Sequence, residues 1–274
     1  MCNFADTDLL EKIKNGLSPH LNAAARVSCQ EAARLVARQT GQKPRQAVLL
    51  INYLVRTGFF RYVYEYGQTY LEKNYAGVVP LSERVTMAPP GIDVPADPGQ
   101  VVVRLLAGAA FGDCRHPTTR LSVRAIDAVL SQAGDSGGKR RALDIGTGSG
   151  ILAITAAALG QDRVLATDID PCARKEAREN VMINRLEEKV TVSDCPLTSI
   201  DGCFDLIIGN LRPPTLIRYA GQIMKKTAPG GAVVLSGFKE ESVVRLLSSY
   251  NDGFDRVWTQ SEGGWCAVVL KKER

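Results

Sequence analysis

In this 274-residue chain, three alternating glycines come directly after a short apolar run. An acidic residue comes directly after the next apolar run. The glycines are Gly146, Gly148 and Gly150, directly after Leu143-Asp144-Ile145, and the acidic residue is Asp168. Glycines allow the main chain to turn sharply and to approach a ligand closely, and a carboxylate at the next strand end accepts hydrogen bonds from ribose hydroxyls. The spacing therefore predicts a site for a nucleoside-containing cofactor.

The residues around this glycine turn favour one cofactor over another. A dinucleotide site needs Gly-x-Gly-x-x-Gly so that the pyrophosphate meets a helix N-terminus, but here the third glycine comes one residue early. Asp144 stands just before the turn, where its charge repels phosphate and suits a ligand with a cationic group. S-adenosylmethionine carries a sulfonium and an ammonium, so we expect it rather than NAD. A role for Asp144 in capping the amides of the turn is an alternative, compatible with the first.

Three further positions are predicted to complete the site. Ile169 follows Asp168 and could cover one face of the adenine, whereas Asp170, before a proline, fits a helix cap better. Asp194 could accept a hydrogen bond from the adenine amine or could simply be a turn residue. Asn210 ends an apolar strand, where its amide would face the transferring methyl group, and is therefore the predicted catalytic residue.

Composition limits the other classes of function. Hydrophobic residues make up 45% of the chain and charged residues 23%, which is ordinary for a soluble globular protein, and no apolar run approaches the roughly 20 residues of a membrane helix. We expect a cytoplasmic protein without membrane association. Seven cysteines without a C-x-x-C pair, and only two histidines, predict free thiols and no metal site. The net charge of +5 is mild and lies mostly in residues 1–75, where no run of consecutive basic residues appears, which favours a solvated surface over a nucleic-acid partner.

The chain divides into three predicted regions. Residues 1–75 read as mainly helical and end in an aromatic-rich hairpin, an order that resembles a winged-helix module. Residues 76–104 are rich in proline and read as a linker. Residues 105–274 alternate apolar strands with helices, which predicts an α/β domain with a mostly parallel sheet. The predicted strands are 141–145, 163–167, 189–192, 204–208, 232–236 and 267–270, and the helices are 151–159, 171–184, 215–227 and 239–250.

The motif order resembles that of the PrmA family, bacterial ribosomal-protein lysine methyltransferases with a seven-stranded Rossmann-like (class I) sheet. Besides the glycine turn and the residues after Asp168 and Asn210, the resemblance rests on the segments Phe111–Thr119 and Gly264–Cys266 and covers residues 105–274. It implies cofactor contacts at Thr119, Gly146, Asp168 and Asn210. It also implies S-adenosylmethionine-dependent methylation of a protein amine, a lysine or amino group.

Two departures from the family limit what the resemblance implies. Asp113-Cys114-Arg115 replaces a loop rich in glycine and threonine, and residues 1–75 differ from the family's small α/β substrate domain. Two other functions therefore stay open: a small-molecule methyltransferase whose N-terminal domain is a lid or the contact of a homodimer, and a DNA-binding regulator that senses the methyl donor. For His116, a structural hydrogen bond in the loop is favoured over a role as general base.

Overall fold

The computed structural model describes residues 7–21, 26–106, 108–132, 140–250 and 253–274, in two compact units, residues 1–79 and 80–274. The segment expected to be a linker, 76–104, contains three strands, β4 (Val79–Pro80), β5 (Val85–Ala88) and β6 (Val101–Arg104). They form a sheet in the order β4-β5-β6, and β5 and β6 are parallel. Most of this proline-rich segment therefore belongs to the second unit.

Within the described residues, the first unit combines three α-helices with a small antiparallel sheet. Ser28 begins the second helix by accepting a hydrogen bond from the Glu31 amide, and Gly41, with φ +69°, ends it. The apolar side chains of the helices and of Phe60 and Leu71 form its core. The sheet order is β1-β3-β2. The elements are α1 (Thr7–Leu17), β1 (Val27–Ser28), α2 (Cys29–Thr40), α3 (Pro44–Arg56), β2 (Phe60–Glu65) and β3 (Gln68–Lys73).

The second unit is built on a seven-stranded mixed sheet, which confirms the predicted α/β fold. Its strands are β7 (Arg141–Ile145), β8 (Arg163–Thr167), β9 (Val190–Ser193), β10 (Phe204–Asn210), β11 (Thr227–Lys239), β12 (Phe254–Glu262) and β13 (Trp265–Lys272). Their order is β12-β13-β11-β10-β7-β8-β9. The helices are α4 (Pro117–Ser131), α5 (Ile151–Ala158), α6 (Pro171–Ile183), α7 (Pro213–Lys226) and α8 (Val243–Leu247).

Several parts of the second unit differ from the sequence-based expectation, and the longest is α4, a helix that was not among those predicted. The helix predicted at 239–250 was wrong at its start, because β11 continues to Lys239, which pairs with Trp265 of β13; the helix itself is only α8. Strand β12 was not predicted, since its residues are mostly exposed and lack an apolar alternation at this edge of the sheet. No helix within the described ranges is long and apolar enough to cross a membrane.

The parallel strands bring the predicted site residues to one edge of the sheet. In register, Ile145 of β7 pairs with Thr167 of β8, Thr167 with Ser193 of β9, and Gly209 of β10 with Ile145. The residues that follow these strands therefore lie side by side at the carboxyl edge. Ligands of open α/β sheets bind at this edge.

Candidate active site

A cavity of about 700 Å³ opens at the carboxyl edge of the sheet, within the size range of small-molecule sites. Its lining combines main chain at the ends of the strands with side chains from segments that lie far from these strands in the sequence. Of the nine predicted site residues, six line it: Gly146, Gly148, Asp168, Ile169, Asp194 and Asn210. Residues outside these nine also line it, among them Phe111, Thr118, Cys195, Leu211, Arg212, Thr215, Arg218, Tyr219 and Trp265.

The glycine turn has a conformation and a packing that only glycine satisfies. Gly146, Gly148 and Gly150 have φ angles of +72°, +55° and +85°, in the left-handed region. A Cβ on Gly148 would lie 2.3 Å from the carbonyl oxygen of Phe111, and one on Gly146 would lie 2.6 Å from Leu211 Cδ2. Gly150 does not line the cavity. It forms the N-cap of α5 and packs against α6, so it shapes the turn from behind.

Asp168 connects the end of β8 to the glycine turn. Its Oδ2 accepts a hydrogen bond from the Gly148 amide at 2.9 Å, and its Oδ1 accepts one from the Asp170 amide at 3.0 Å. Ile169 beside it is 92% exposed while it lines the cavity, an unusual position for a large apolar side chain. Asp194 lies at the same end, with Oδ2 3.7 Å from the Arg174 guanidinium. Both residues remain predicted cofactor contacts.

Asp144 lies beneath the turn and does not line the cavity. It is fully buried, and its Oδ2 accepts a hydrogen bond from the Thr147 hydroxyl at 2.7 Å. Burial raises the pKa of this carboxyl from 3.8 to about 7, and the negative charge of Asp168 adds to the rise, whereas hydrogen bonds from Thr147 and from the Ala153 amide oppose it. The structure therefore places Asp144 where it supports the turn, and a direct contact with a cofactor stays a prediction.

Asn210 ends β10 and presents a polar atom with no partner. Its Oδ1 is buried and accepts no hydrogen bond from the described residues, and the side chain lines the cavity. A buried polar atom without a partner costs free energy unless a ligand satisfies it. Close behind, Gly237 has φ +95°, and a Cβ there would lie 2.4 Å from the carbonyl oxygen of Leu211. The backbone around Asn210 is thus fixed by packing.

The loop before α4 covers the glycine turn and is held by a buried arginine. Arg120 is 2% exposed and donates hydrogen bonds to the carbonyl oxygens of Cys114 and Arg115 at 2.6 and 2.7 Å. It also forms an ion pair with Glu262 of β12. Burial raises the pKa of Glu262, but the hydrogen bonds and charges of Arg120 and Arg124 outweigh it, so the pKa is lowered. The amide of Ser149 donates to the carbonyl oxygen of Phe111 at 2.9 Å.

His116 makes the structural hydrogen bonds that the sequence favours, and it also lines the cavity. It is the N-cap of α4, and its Nδ1 lies 2.7 Å from the Thr118 hydroxyl and accepts a hydrogen bond from the Thr118 amide at 3.3 Å. Its ring contacts Trp265, with centroids 4.5 Å apart. Burial lowers the pKa of His116, and the nearby charges of Arg120 and Lys239 lower it further, against a smaller opposing effect of Asp113. The ring is therefore neutral near pH 7.

Thr118, rather than the predicted Thr119, lines the cavity. Thr119 is fully buried in the first turn of α4, and its hydroxyl has no hydrogen-bond partner among the described residues. Successive helical residues point about 100° apart, so the two threonines face in different directions. The pattern His-Pro-Thr-Thr could not show which threonine faces the cavity, because that depends on where α4 packs. The contact of Thr119 with a cofactor stays a prediction.

Fold and site together define a class I methyltransferase domain: a seven-stranded α/β sheet with a glycine turn after β7 and an acidic residue after β8. The family model described as ribosomal protein L11 methyltransferase (PrmA) matches residues 68–273, about three quarters of the chain. The chain therefore belongs to the PrmA family. The match begins earlier than residue 105, where the sequence resemblance begins.

Individual relatives agree with this membership. The ribosomal protein L11 methyltransferase of Geotalea daltonii is 35% identical over 207 residues, which cover 73% of this chain and 66% of the relative. That of Geobacter sulfurreducens is 39% identical over 178 residues, which cover 65% and 56%. The crystal structure of a ribosomal protein L11 methylase from Lactobacillus delbrueckii subsp. bulgaricus is similar with a TM-score of 0.63 at 29% identity, over 72% of this chain and 100% of that chain.

The chain spans less than two thirds of the length of these curated relatives, 66% and 56% of the first two. The matched part contains every residue that lines the cavity, since the lining runs from Ala109 to Trp265. The family model leaves residues 1–67 unmatched. Family membership therefore describes the unit that holds the cavity, and it does not extend to most of the first unit.

Proposed function

We propose that this chain is an S-adenosylmethionine-dependent methyltransferase that methylates nitrogen on a protein, at a lysine or an amino group. The relatives are named ribosomal protein L11 methyltransferases, and we propose ribosomal protein L11 as the protein substrate of this chain. The observation that carries the proposal is one cavity that joins the glycine turn and Asp168 to the unpaired Oδ1 of Asn210. A cytoplasmic location and a homodimer formed through residues 1–75 belong to the same proposal.

The residues at one end of the cavity fit the methyl donor. Asp168 offers a carboxylate to ribose hydroxyls, and the exposed Ile169 offers an apolar surface to the adenine. Gly146 and Gly148 leave space for close approach, because a Cβ at either would already collide with its neighbours. Asp194 adds an acceptor beyond Ile169 for an exocyclic amine. No group in this set would repel a ligand that carries a sulfonium and an ammonium.

The residues at the other end fit an amine acceptor. Bound S-adenosylmethionine would supply an electrophilic methyl group on its sulfonium. Asn210 Oδ1 can accept a hydrogen bond from the attacking nitrogen and hold its lone pair in line with that methyl group. Phe111 and Trp265 line the same cavity with aromatic rings. Because His116 already uses Nδ1 within its own loop, we expect the acceptor's proton to leave to water.

The proposal is tested first by binding. S-adenosylmethionine titrated into the wild type should bind, and Asp168→Ala should weaken binding by about ten- to a hundredfold, the value of a charge-assisted hydrogen bond. The matched control is Asp201→Ala, an exposed aspartate that does not line the cavity. Equal affinity of wild type and Asp168→Ala, or no binding to either, would contradict the assignment.

A second measurement follows the methyl group. Labelled S-adenosylmethionine incubated with purified ribosomal protein L11 should label that protein, and Asn210→Ala should lower kcat about a hundredfold while weakening donor binding less than Asp168→Ala does. Label found only on small molecules would favour the small-molecule alternative. Binding of the donor without any transfer, together with salt-dependent DNA binding, would favour a regulator.

A further inference from the structure

One face of α7 lines the cavity with basic and hydroxyl side chains. Arg212 precedes the helix, and Thr215, Arg218 and Tyr219 follow at intervals of three and four residues, so they share one side of its first two turns. We call these four residues the α7 rim. Neither arginine forms an ion pair with an acidic side chain in the part of the chain that the structure describes. The guanidinium of Arg218 lies against Tyr219, 5.0 Å from the ring centroid.

The backbone of α7 adds to the positive potential but offers no amide to a ligand. The first turn contains no acidic residue, and the N-terminal end of a helix carries a partial positive charge. Pro213 and Pro214 have no N–H group, and the amide of Thr215 already donates to the carbonyl oxygen of Arg212 at 3.0 Å. Recognition at this place must therefore come from the side chains of the α7 rim.

The two ends of the cavity carry opposite charge. Asp168, Asp170 and Asp194 lie at the ends of β8 and β9, whereas the α7 rim follows β10. Strands β10 and β9 are three positions apart in the sheet, about 14 Å at the usual strand spacing. An adenosine held by Asp168 therefore occupies the acidic end. The α7 rim lies beyond Asn210, on the side from which an acceptor reaches the methyl group.

Resting on the proposed function, we propose that the α7 rim selects a methyl acceptor whose reactive amine is flanked by acidic side chains. The two guanidiniums bind the neighbouring carboxylates, and the hydroxyls of Thr215 and Tyr219 complete their hydrogen bonds. The acceptor amine itself lies over Asn210. Because each arginine is exposed and has no acidic partner in the described ranges, a carboxylate gains a charge-assisted hydrogen bond here without displacing an existing ion pair.

The test measures binding separately from transfer. Two labelled peptides of equal length, one with its lysine between glutamates and one with its lysine between glutamines, are titrated into protein saturated with S-adenosylhomocysteine, and the dissociation constants are read by fluorescence anisotropy. The wild type should bind the glutamate peptide at least about tenfold tighter, and added salt should reduce the difference. Arg218→Glu should remove the preference, and Arg218→Lys should keep part of it.

Arg245→Glu is the matched control. Arg245 is an exposed arginine of α8 that does not line the cavity, and its substitution changes the net charge equally. It should keep the preference for the glutamate peptide. Equal binding of both peptides by the wild type, binding of neither, or a preference that survives Arg212→Glu with Arg218→Glu would overturn the inference.

Three further measurements separate a failure of this inference from a failure of the proposed function. If the arginine variants lose affinity for S-adenosylmethionine as strongly as for the peptide, the α7 rim binds the donor and the inference fails while the proposed function stands. If an oligothymidylate displaces the glutamate peptide and depends on the same arginines, the anion is nucleic acid and the inference fails. If the wild type does not bind S-adenosylmethionine at all, the proposed function itself fails.

Discussion

The two ends of the cavity are built in different ways. The end at β7, β8 and β9, which we call the donor half, consists of a glycine turn and of acidic residues directly after strands. The end at β10 and α7, the acceptor half, consists of side chains from segments far apart in the sequence: Phe111, Asn210, Arg218 and Trp265. A turn made of main chain tolerates little change, whereas side chains can be exchanged one by one. We therefore expect the donor half to determine the cofactor and the acceptor half to determine the substrate.

The largest effect on donor binding is expected from Gly148→Ala in the donor half. A Cβ there would lie 2.3 Å from the backbone oxygen of Phe111, so either the turn or the covering loop must move. Since the Gly148 amide also donates a hydrogen bond to Asp168, the proposed ribose anchor moves with it. Affinity for S-adenosylmethionine should fall by about a hundredfold or more. Calorimetric titration measures the affinity, and thermal unfolding shows whether the variant folds.

Gly253→Ala separates the strain of a positive φ from the collision of the added Cβ with its neighbours. Gly253 also has a positive φ, +71°, but a Cβ there meets nothing within 4 Å. The control should cost about 1 kcal/mol of stability from backbone strain and leave donor affinity unchanged. If Gly148→Ala binds the donor as well as this control does, the turn is not the rigid part that the comparison requires.

A smaller effect on donor binding is expected from a substitution of Arg120, which holds the loop of the acceptor half in place. Arg120→Met removes the buried guanidinium that joins the loop at Cys114 and Arg115 to Glu262. Breaking a buried ion pair costs about 3–5 kcal/mol; because Glu262 is 25% exposed and keeps Arg124, the free energy of unfolding should fall by about 3 kcal/mol, the lower end of that range. Because this loop carries Phe111 and His116, the KM for the acceptor should rise more than the KM for the donor.

Arg124→Met is the control for this anchor. Arg124 pairs with the same Glu262, at 2.7 Å, but its side chain is 32% exposed. This pair is partly exposed, and Glu262 keeps Arg120 as a partner, so the substitution should cost only about 1 kcal/mol. Chemical denaturation compares the two variants. If both variants lose the same free energy of unfolding, the burial of Arg120 is not what holds the loop of the acceptor half in place.

The contrast between the halves also explains what the sequence could predict. The donor half lies within one continuous segment, β7 to β9 with the helices α5 and α6 between them, so strand bounds such as 141–145 and 163–167, the glycine turn and Asp168 follow from local pattern. The acceptor half depends on packing between segments about 150 residues apart. Nothing local distinguishes Thr118 from Thr119, or indicates that Trp265 reaches His116. The helix predicted at 215–227 places Arg218 near its start, but only the fold shows that this end of α7 faces the cavity.

The smallest effect on donor binding is expected from Asp144→Asn. Asp144 lies under the donor half, and its substitution should change the free energy of unfolding instead. Burial raises the pKa of its carboxyl from 3.8 to about 7, so between about pH 4 and pH 7 the folded chain holds a proton that the unfolded chain has lost. Unfolding then becomes easier as pH rises through this window, and above it the full penalty of the buried charge remains. Asp144→Asn removes that charge. The variant should therefore equal the wild type near pH 4 and exceed its free energy of unfolding by about 4 kcal/mol at pH 8.

The midpoint of thermal unfolding measured against pH tests this difference between Asp144→Asn and the wild type. A gap that opens between pH 4 and 7 and stays constant above identifies the titration of the buried carboxyl, because the substituted amide would keep the Thr147 hydrogen bond without a charge. Donor affinity at pH 8 then sharpens the comparison. An affinity that the substitution leaves unchanged assigns Asp144 to support of the turn, whereas a loss of about tenfold or more assigns its charge to the donor's ammonium. A gap that does not change with pH would contradict the raised pKa, since only a group that titrates within the window can produce it.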